Sequence, residues 1–388
     1  MSRPTPLPAW PQSIDWRWAL PRILVVFLVT RLLLVAVAVA VETTQPAPPE
    51  GVAIDDRPVL TSLTVWDARY YTSISDLGYH ADPDYGPDYA FYPGYPIVVR
   101  AASLLTLGDT NLAAVAVANL AFLLALVALY ALSRRYLDRE RALRSQWFFA
   151  LAPGAAAFGL AYSDSVFVLL LLAAFLAMEE RRVWIAGIAL ALATLVRVPG
   201  ILFGLPLLMM LTAEEGYRPS RRWLPLLLAP AVLVAFYGYL WWLTGDFFAA
   251  AAAQSYWNPD PVLDEAGAPT GALDFTTSHG DESFSLAWAP EWIYAIWIGI
   301  LAVYVFLFVY FRHDRIPLPY LTMAVMTVAT IFISAGLQSS TRYLAVAWPF
   351  AWVLANRRSR FGRSAALVVF AVGQVVLLWL AFTWRLAP

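Results

Sequence analysis

Four short stretches of this sequence combine side chains able to move protons, hold anions or stack on rings. The first is Trp66-Asp67, followed by Arg69, Tyr70, Tyr71, Gly78, Tyr79 and His80, then by Ala90-Phe91-Tyr92-Pro93-Gly94-Tyr95-Pro96. The second is Ala161-Tyr162-Ser163-Asp164-Ser165, and the third is Leu195-Val196-Arg197-Val198-Pro199-Gly200. The fourth is Ser339-Ser340-Thr341-Arg342-Tyr343, leading to Trp348-Pro349-Phe350. A carboxylate is ionised at neutral pH and accepts a proton from a hydroxyl held against it. A guanidinium stays charged and offers two donors to one oxyanion. A carboxylate, two arginines and several rings meeting at one place would hold an anionic lipid headgroup and a sugar.

The elements that must bring these stretches together are membrane spans. Of 388 residues, 61% are hydrophobic and 14% charged, too little polar surface for a soluble chain of this length. Apolar runs recur at 20–41, 111–133, 145–161, 164–178, 183–197, 200–213, 223–243, 290–311, 317–334, 343–355 and 364–383. Each full-length run suits a ~30 Å hydrocarbon core. The chain therefore reads as a single all-α integral membrane domain over residues 1–388, a helical bundle of about 11 spans. The first run is longer than a signal-peptide core and lacks a small-residue cleavage site, so it reads as a retained helix.

All 26 basic residues are arginine. With a cytoplasmic N-terminus, 19 of them fall on the cytoplasmic side. They are Arg3, Arg17 and Arg22; Arg134, Arg135, Arg139, Arg141 and Arg144; Arg181 and Arg182; Arg218, Arg221 and Arg222; Arg312 and Arg315; and Arg357, Arg358, Arg360 and Arg363. The positive-inside rule expects this excess, and it requires region 183–213 to be two helices broken at Arg197, Pro199 and Gly200. Two long stretches then face outward, 42–110 and 244–289. The first opens Pro-rich and continues into mixed aromatic and charged segments suited to helices lying in the interface. The second, rich in Pro, Gly and Asp, reads as irregular chain. All four chemical stretches reach the same, outer face.

Each candidate also has a structural reading. Asp67 is a general base or the N-cap of the helix that follows. Arg31, near the middle of the first span, costs at least ~2.5 kcal/mol there unless paired, so it partners a buried acid or a phosphate. Asp164 contacts sugar hydroxyls or caps its helix. Trp66, Tyr162 and Tyr343 stack on a sugar or belong to the aromatic belt at headgroup level. Arg69 and Arg100 read as interfacial anchors, His80 as structural, and the run Asp82, Asp84, Asp88 as a solvated turn, since it lacks the rest of a calcium loop. With no cysteine and three scattered histidines, no metal-ligand motif is present. A net charge of −1 gives no reason to expect a nucleic-acid partner.

The order WD…GY…AFYPGYP resembles the WD…GY…FFPxYP signature of the PIG-V-like mannosyltransferases, within the GT-C group of membrane glycosyltransferases. AYSDSVF is similar to that family's YSES-type turn, LVRVPGI to its Arg-x-x-Gly segment, and STRYLAVAWPF to its late SxRY…P segment. Gly94 stands where a bulky residue is usual. The resemblance implies a GT-C-like bundle in the cell membrane with an outward active site. It implies a polyprenyl-phosphate sugar as donor, with mannose as the sugar, and a lipid-linked glycan such as a phosphatidylinositol mannoside as acceptor. No cofactor or metal is implied.

In that mechanism Asp67 is the base of a single, inverting displacement. A phosphate leaves without a general acid where cations take up its charge, so one carboxylate with arginines is sufficient. Arg342, Arg197 and Arg31 would bind the donor phosphate. Trp66, Tyr70, Tyr79, His80, Tyr92, Tyr162, Asp164 and Tyr343 would line the sugar and acceptor. A polytopic transporter of an anionic or lipid-linked substrate is the alternative, although no inverted repeat is evident and the polar chemistry lies in the outer loops. Asp67→Asn is expected to abolish turnover while leaving folding intact; an active Asn variant removes Asp67 from the mechanism.

Overall fold

The computed structural model describes residues 13–44, 57–80, 86–215, 219–253, 261–263, 269–273, 316–333 and 340–383. The helices are α1 (Trp16–Thr44), α2 (Leu60–Leu63), α3 (Ala68–Leu77), α4 (Gly94–Ser103), α5 (Thr110–Ser133) and α6 (Arg139–Leu151). After them come α7 (Asp164–Glu179), α8 (Val183–Val196), α9 (Gly204–Glu215), α10 (Leu228–Thr244) and α11 (Ala249–Ala252). The chain continues with α12 (Leu318–Ile333), α13 (Ser340–Ala345), α14 (Pro349–Ala355) and α15 (Arg360–Phe382). A short antiparallel ribbon pairs β1 (Pro261–Leu263) with β2 (Pro269–Leu273), where irregular chain was expected. The rest of the second predicted loop beyond Ala253, and the predicted span 290–311, lie outside the described residues.

Four stretches among the described residues are long and apolar enough to cross a bilayer: Trp16–Thr44, Thr110–Ser133, Arg221–Thr244 and Arg360–Phe382. Their starts obey local rules. Asp109 caps α5 through Leu112 N at 3.0 Å, and Asp138 caps α6 through Arg141 N at 2.8 Å. Ser359 caps α15 through Gly362 N at 3.0 Å. Such caps satisfy amide donors that a helix start leaves unpaired. Leu20, Leu24, Leu28 and Leu32 form an exposed apolar stripe on α1, as a lipid-facing helix requires. Helix α7 is instead buried on most of its surface, between α5 and α8.

Several predicted spans are broken, each for a local reason. The expected span 145–161 ends its α-helix at Leu151, because Ala152 precedes Pro153 and takes an extended ψ of 136°. A 3-10 segment, Pro153–Gly159, follows, and it meets α7 at 102°. The expected span 343–355 is likewise two pieces, α13 and α14, because Pro349 has no N–H and serves better as the first residue of a new helix. Region 183–213 is the expected broken pair: α8 ends at Val196, Arg197 is extended, and a 3-10 segment, Val198–Phe203, leads into α9.

The bend before α7 exposes carbonyls that a bilayer interior could not hydrate, and side chains from other helices take them. Arg31 donates to Phe158 O at 3.0 Å, Ser165 Oγ donates to the same oxygen at 2.8 Å, and Asn119 donates to Gly159 O at 3.1 Å. Gln374 of α15 donates to Ala150 O at 3.1 Å, just before the break. At the far end of α7, Glu179 lies 3.5 Å from Arg135 and accepts from Tyr320 at 2.7 Å and from Tyr136. That contact ties α12 to the central helix.

Two glycines allow close backbone crossings. A β-carbon on Gly154 would lie 1.9 Å from Thr341 O, so the 3-10 segment touches α13 directly. A β-carbon on Gly94 would lie 2.8 Å from Leu195 O, which explains a glycine at a position the family fills with bulk: α4 docks here on the end of α8. Gly154→Ala is expected to destabilise the fold by about 1–3 kcal/mol through overpacking. Gly238→Ala, with open space around it, is expected to leave stability unchanged or slightly raised. Thermal unfolding in detergent checks both; equal melting temperatures for the two variants would refute the crossing.

Candidate active site

Each chemical stretch sits where the chain changes direction. Trp66 holds a left-handed backbone, φ 55°, a strained conformation for a bulky residue. Its indole N–H donates to Ala381 O of α15 at 3.0 Å, and its ring is buried. The turn at Trp66 presents Asp67 as the residue entering α3. Asp67 makes no side-chain capping bond; its Oδ2 instead accepts from Arg342 NH1 at 2.5 Å. The N-cap reading of Asp67 is therefore replaced by an ion pair with the residue 275 positions away.

A second pair stands beside the first. Asp164, the first residue of α7, has its Oδ1 2.6 Å from NH1 of Arg197. Tyr343 joins the pairs, with the Arg197 guanidinium 4.8 Å and the Arg342 guanidinium 5.7 Å from its ring centroid. Tyr162 closes the other side: Arg342 lies 5.4 Å from its ring centroid, and its hydroxyl donates to Val65 O at 3.2 Å. Two carboxylates and two guanidiniums thus neutralise one another in a site walled by rings. The arginine side chains are each 9% exposed, Asp164 is 1% exposed and Asp67 is 16% exposed. Such burial strengthens the pairs electrostatically and makes loss of one partner costly, because the survivor is left charged and unpaired.

Local contacts fix these positions. Ala161 N donates to Leu63 O at 2.9 Å, and Tyr71 shares a 2.7 Å hydrogen bond with Ser163. The turn carrying Asp164 is thereby bound to the segment carrying Asp67. Tyr71 packs edge-on against Phe91 and Tyr95, and Tyr70 stacks on Phe91 at 4.6 Å. Arg197 is reached because α8 stops at Val196, and Arg342 because α13 lies on Gly154.

The four sequence stretches therefore meet, and Asp67, Arg342, Asp164, Arg197, Tyr162 and Tyr343 form one cluster. Trp66 and Tyr162 are buried in holding this cluster, so they offer no open ring face for stacking. Tyr79 and Tyr92 are placed elsewhere, in an aromatic group against α10 and α11, with His80 next to them in the chain. Tyr79 donates to Phe91 O, Tyr92 shares a 3.2 Å bond with Tyr237, and Tyr89 donates to His80 O at 2.5 Å. His80 lies 3.9 Å from Asp88, whose carboxyl burial pushes above the usual range while the imidazole draws it back. Asp82 and Asp84 lie outside the described residues.

Arg31 differs from the buried-acid reading. It has no acid partner among the described residues; its NH1 is committed to Phe158 O and Asn119 Oδ1, and its guanidinium lies 4.6 Å from the Phe122 ring centroid. Arg100 donates to Ser75 O at 2.7 Å and Asp76 O at 2.8 Å, closing the end of α3. Sequence reasoning left Tyr71, Ser163, Ser340 and Thr341 outside the site. Ser340 Oγ, Thr341 Oγ1 and Arg342 Nε are buried without a hydrogen-bond partner among the described residues, a costly arrangement that an anion would relieve. Their adjacency to Arg342 was the available signal. What the arrangement offers chemically is a proton acceptor, two fixed cations for an oxyanion, and hydroxyls able to bind phosphate or sugar.

The family described as mannosyltransferase (PIG-V) matches residues 18–225, more than half of the chain and three of its four chemical stretches. GPI alpha-1,6-mannosyltransferase 2 of Mus musculus is 32% identical over 153 residues, 37% of this chain and 30% of that protein. GPI mannosyltransferase 2 of Cryptococcus neoformans is 31% identical over 147 residues, 35% of this chain and 34% of that protein. The matched stretch spans about a third of these relatives' lengths. Among solved structures, ArnT from Cupriavidus metallidurans bound to undecaprenyl phosphate superposes with TM-score 0.52 at 13% identity, covering 96% of this chain and 77% of that one. The Archaeoglobus fulgidus oligosaccharyltransferase gives 0.51 at 16% identity, covering 97% and 56%. At these identities the likeness is one of fold, and it is the GT-C-like bundle the sequence led us to expect. The ordered motifs, the architecture and the family match agree: this chain is a multi-pass membrane protein of the PIG-V mannosyltransferase family.

Proposed function

We propose that this protein transfers a mannosyl residue from a polyprenyl-phosphate donor to a hydroxyl of a lipid-linked glycan, such as a phosphatidylinositol mannoside, with inversion at the anomeric carbon. The observation that carries this reading is the side-by-side placement of Asp67–Arg342 and Asp164–Arg197 around Tyr343. It supplies a carboxylate for the acceptor proton and guanidiniums for the departing phosphate in one water-poor site.

In this reading Asp67 takes the proton of the acceptor hydroxyl as its oxygen attacks the anomeric carbon. The bond from that carbon to the phosphate oxygen breaks, and its electron pair leaves with the phosphate. Arg342 and Arg197 take up the growing charge, so no general acid is needed. Ser340 and Thr341 add neutral donors beside Arg342. Asp164 keeps Arg197 extended towards the site and is available to sugar hydroxyls on its remaining oxygen. Tyr343 lies against both cations. The arginine distribution supports an active site on the extracytoplasmic face of the cell membrane and a cytoplasmic N-terminus.

Transfer of sugar from polyprenyl-phosphate mannose, assayed in membranes, tests this reading. Wild type is expected to exceed a vector-only control, and Arg342→Ala to lose about 10²-fold or more in kcat, the scale of removing one transition-state donor. NMR of the product is expected to show inverted anomeric configuration. Wild-type transfer equal to the control with every polyprenyl-phosphate sugar tried would instead favour transport.

A further inference from the structure

The arrangement at Arg342 has a consequence for how the site is used. The guanidinium that must meet the donor phosphate is already engaged by the carboxylate that must meet the acceptor hydroxyl, with Arg342 NH1 2.5 Å from Asp67 Oδ2. One N–H cannot serve both oxygens at full strength, and Oδ2 cannot accept a second short bond along the same direction. In the unliganded protein, base and phosphate ligand therefore occupy one another.

The second pair is not equivalent. Asp164 is 1% exposed, at the start of the central helix α7, whereas Asp67 is 16% exposed, the most accessible of the four charged side chains. Unmatched polar atoms occur at both pairs, Arg197 NH1 and the Asp164 oxygens included, but beside Arg342 they are gathered on one short helix: its Nε and the hydroxyls of Ser340 and Thr341 have no hydrogen-bond partner among the described residues. An oxyanion arriving there would find several unmatched donors and one donor pledged to Asp67.

Resting on the transferase reading above, we propose that the lipid phosphate displaces Asp67 from Arg342, so that donor binding and release of the base are a single exchange of ion-pair partners. Donor then binds before acceptor, because Oδ2, the oxygen held on the guanidinium, turns to the acceptor hydroxyl once phosphate has taken its place. Asp67 also acts against donor binding, since every phosphate that enters must first break a buried ion pair. Tyr343 lets the exchange occur with little motion: its ring faces both guanidiniums and remains as an attractive surface while the oxyanion changes places.

The test is binding of undecaprenyl phosphate, which carries no sugar to transfer, to the full chain in nanodiscs. Asp67→Asn keeps a hydrogen-bond acceptor of the same shape and removes the charge. It is expected to bind undecaprenyl phosphate at least about tenfold more tightly than wild type, although it does not turn over. A structural role for Asp67 would leave affinity unchanged or weaken it. Initial-rate kinetics of wild type give a readout independent of the variant: a dead-end acceptor analogue, its accepting hydroxyl replaced by hydrogen, should inhibit uncompetitively against donor, as donor-first binding requires, whereas random order gives non-competitive inhibition.

If wild type transfers mannose and binds undecaprenyl phosphate while Asp67→Asn binds it no more tightly, the exchange is overturned and the transferase reading stands. Random-order kinetics would overturn the exchange as well. Absence of both transfer and undecaprenyl phosphate binding in wild type would overturn the transferase reading and the exchange with it.

Discussion

A carboxylate and a guanidinium buried away from water are stable only in one another's company, and that constraint organises this protein. Removing either partner of a buried pair costs several kcal/mol, because the remaining charge has lost both water and counterion. Here two such pairs lie together, so the segments carrying them are bound electrostatically as well as by packing. The pair Asp67–Arg342 joins the start of α3 to α13, and Asp164–Arg197 joins the start of α7 to the break after α8.

The second constraint is the bilayer, which penalises any unpaired backbone group. A turn as sharp as the 102° bend before α7 survives because Arg31, Asn119 and Ser165 supply donors to its carbonyls. Arg31 is thus a structural cation. Its charge faces carbonyl dipoles and an aromatic ring, a milder compensation than a carboxylate, and it lies directly behind the turn that presents Tyr162 and Asp164. The shape of the active site depends on how the membrane-embedded backbone is satisfied, and helix α7 is held at its other end by Glu179 with Arg135, Tyr136 and Tyr320.

Strain and close approach complete the positioning. Trp66 adopts a left-handed backbone and is held there by Ala381, which aims Asp67 inward instead of along the axis of α3. Gly154 and Gly94 let backbones cross where any larger residue would hold α13 and α4 away from the site. The segment 57–103 is in this way fastened to both ends of the chain's chemistry, to the α8 break through α4 and to α15 through Trp66.

Much of this was legible from residue types alone. Hydropathy identified the membrane class and most helices, since apolar length is what a bilayer selects. Asp67, Arg197, Asp164 and Arg342 stood out because charge beside an apolar run demands a partner. The N-cap reading of Asp67 and the phosphate reading of Arg31 were equally consistent with local sequence, because one residue's neighbours do not reveal which distant group meets its side chain. Breaks at Pro153 and Pro349 were visible as prolines but not as the ends of spans, since apolar composition continues across them. Tyr79 and Tyr92 shared a loop with Asp67, yet they pack against α10 and α11, a contact that depends on how that loop folds back. The sequence by itself determined the chemistry available and that it is set in a membrane protein. Only the tertiary structure decided which carboxylate meets which arginine, because those pairings join residues up to 275 positions apart through a backbone whose turns are set by packing.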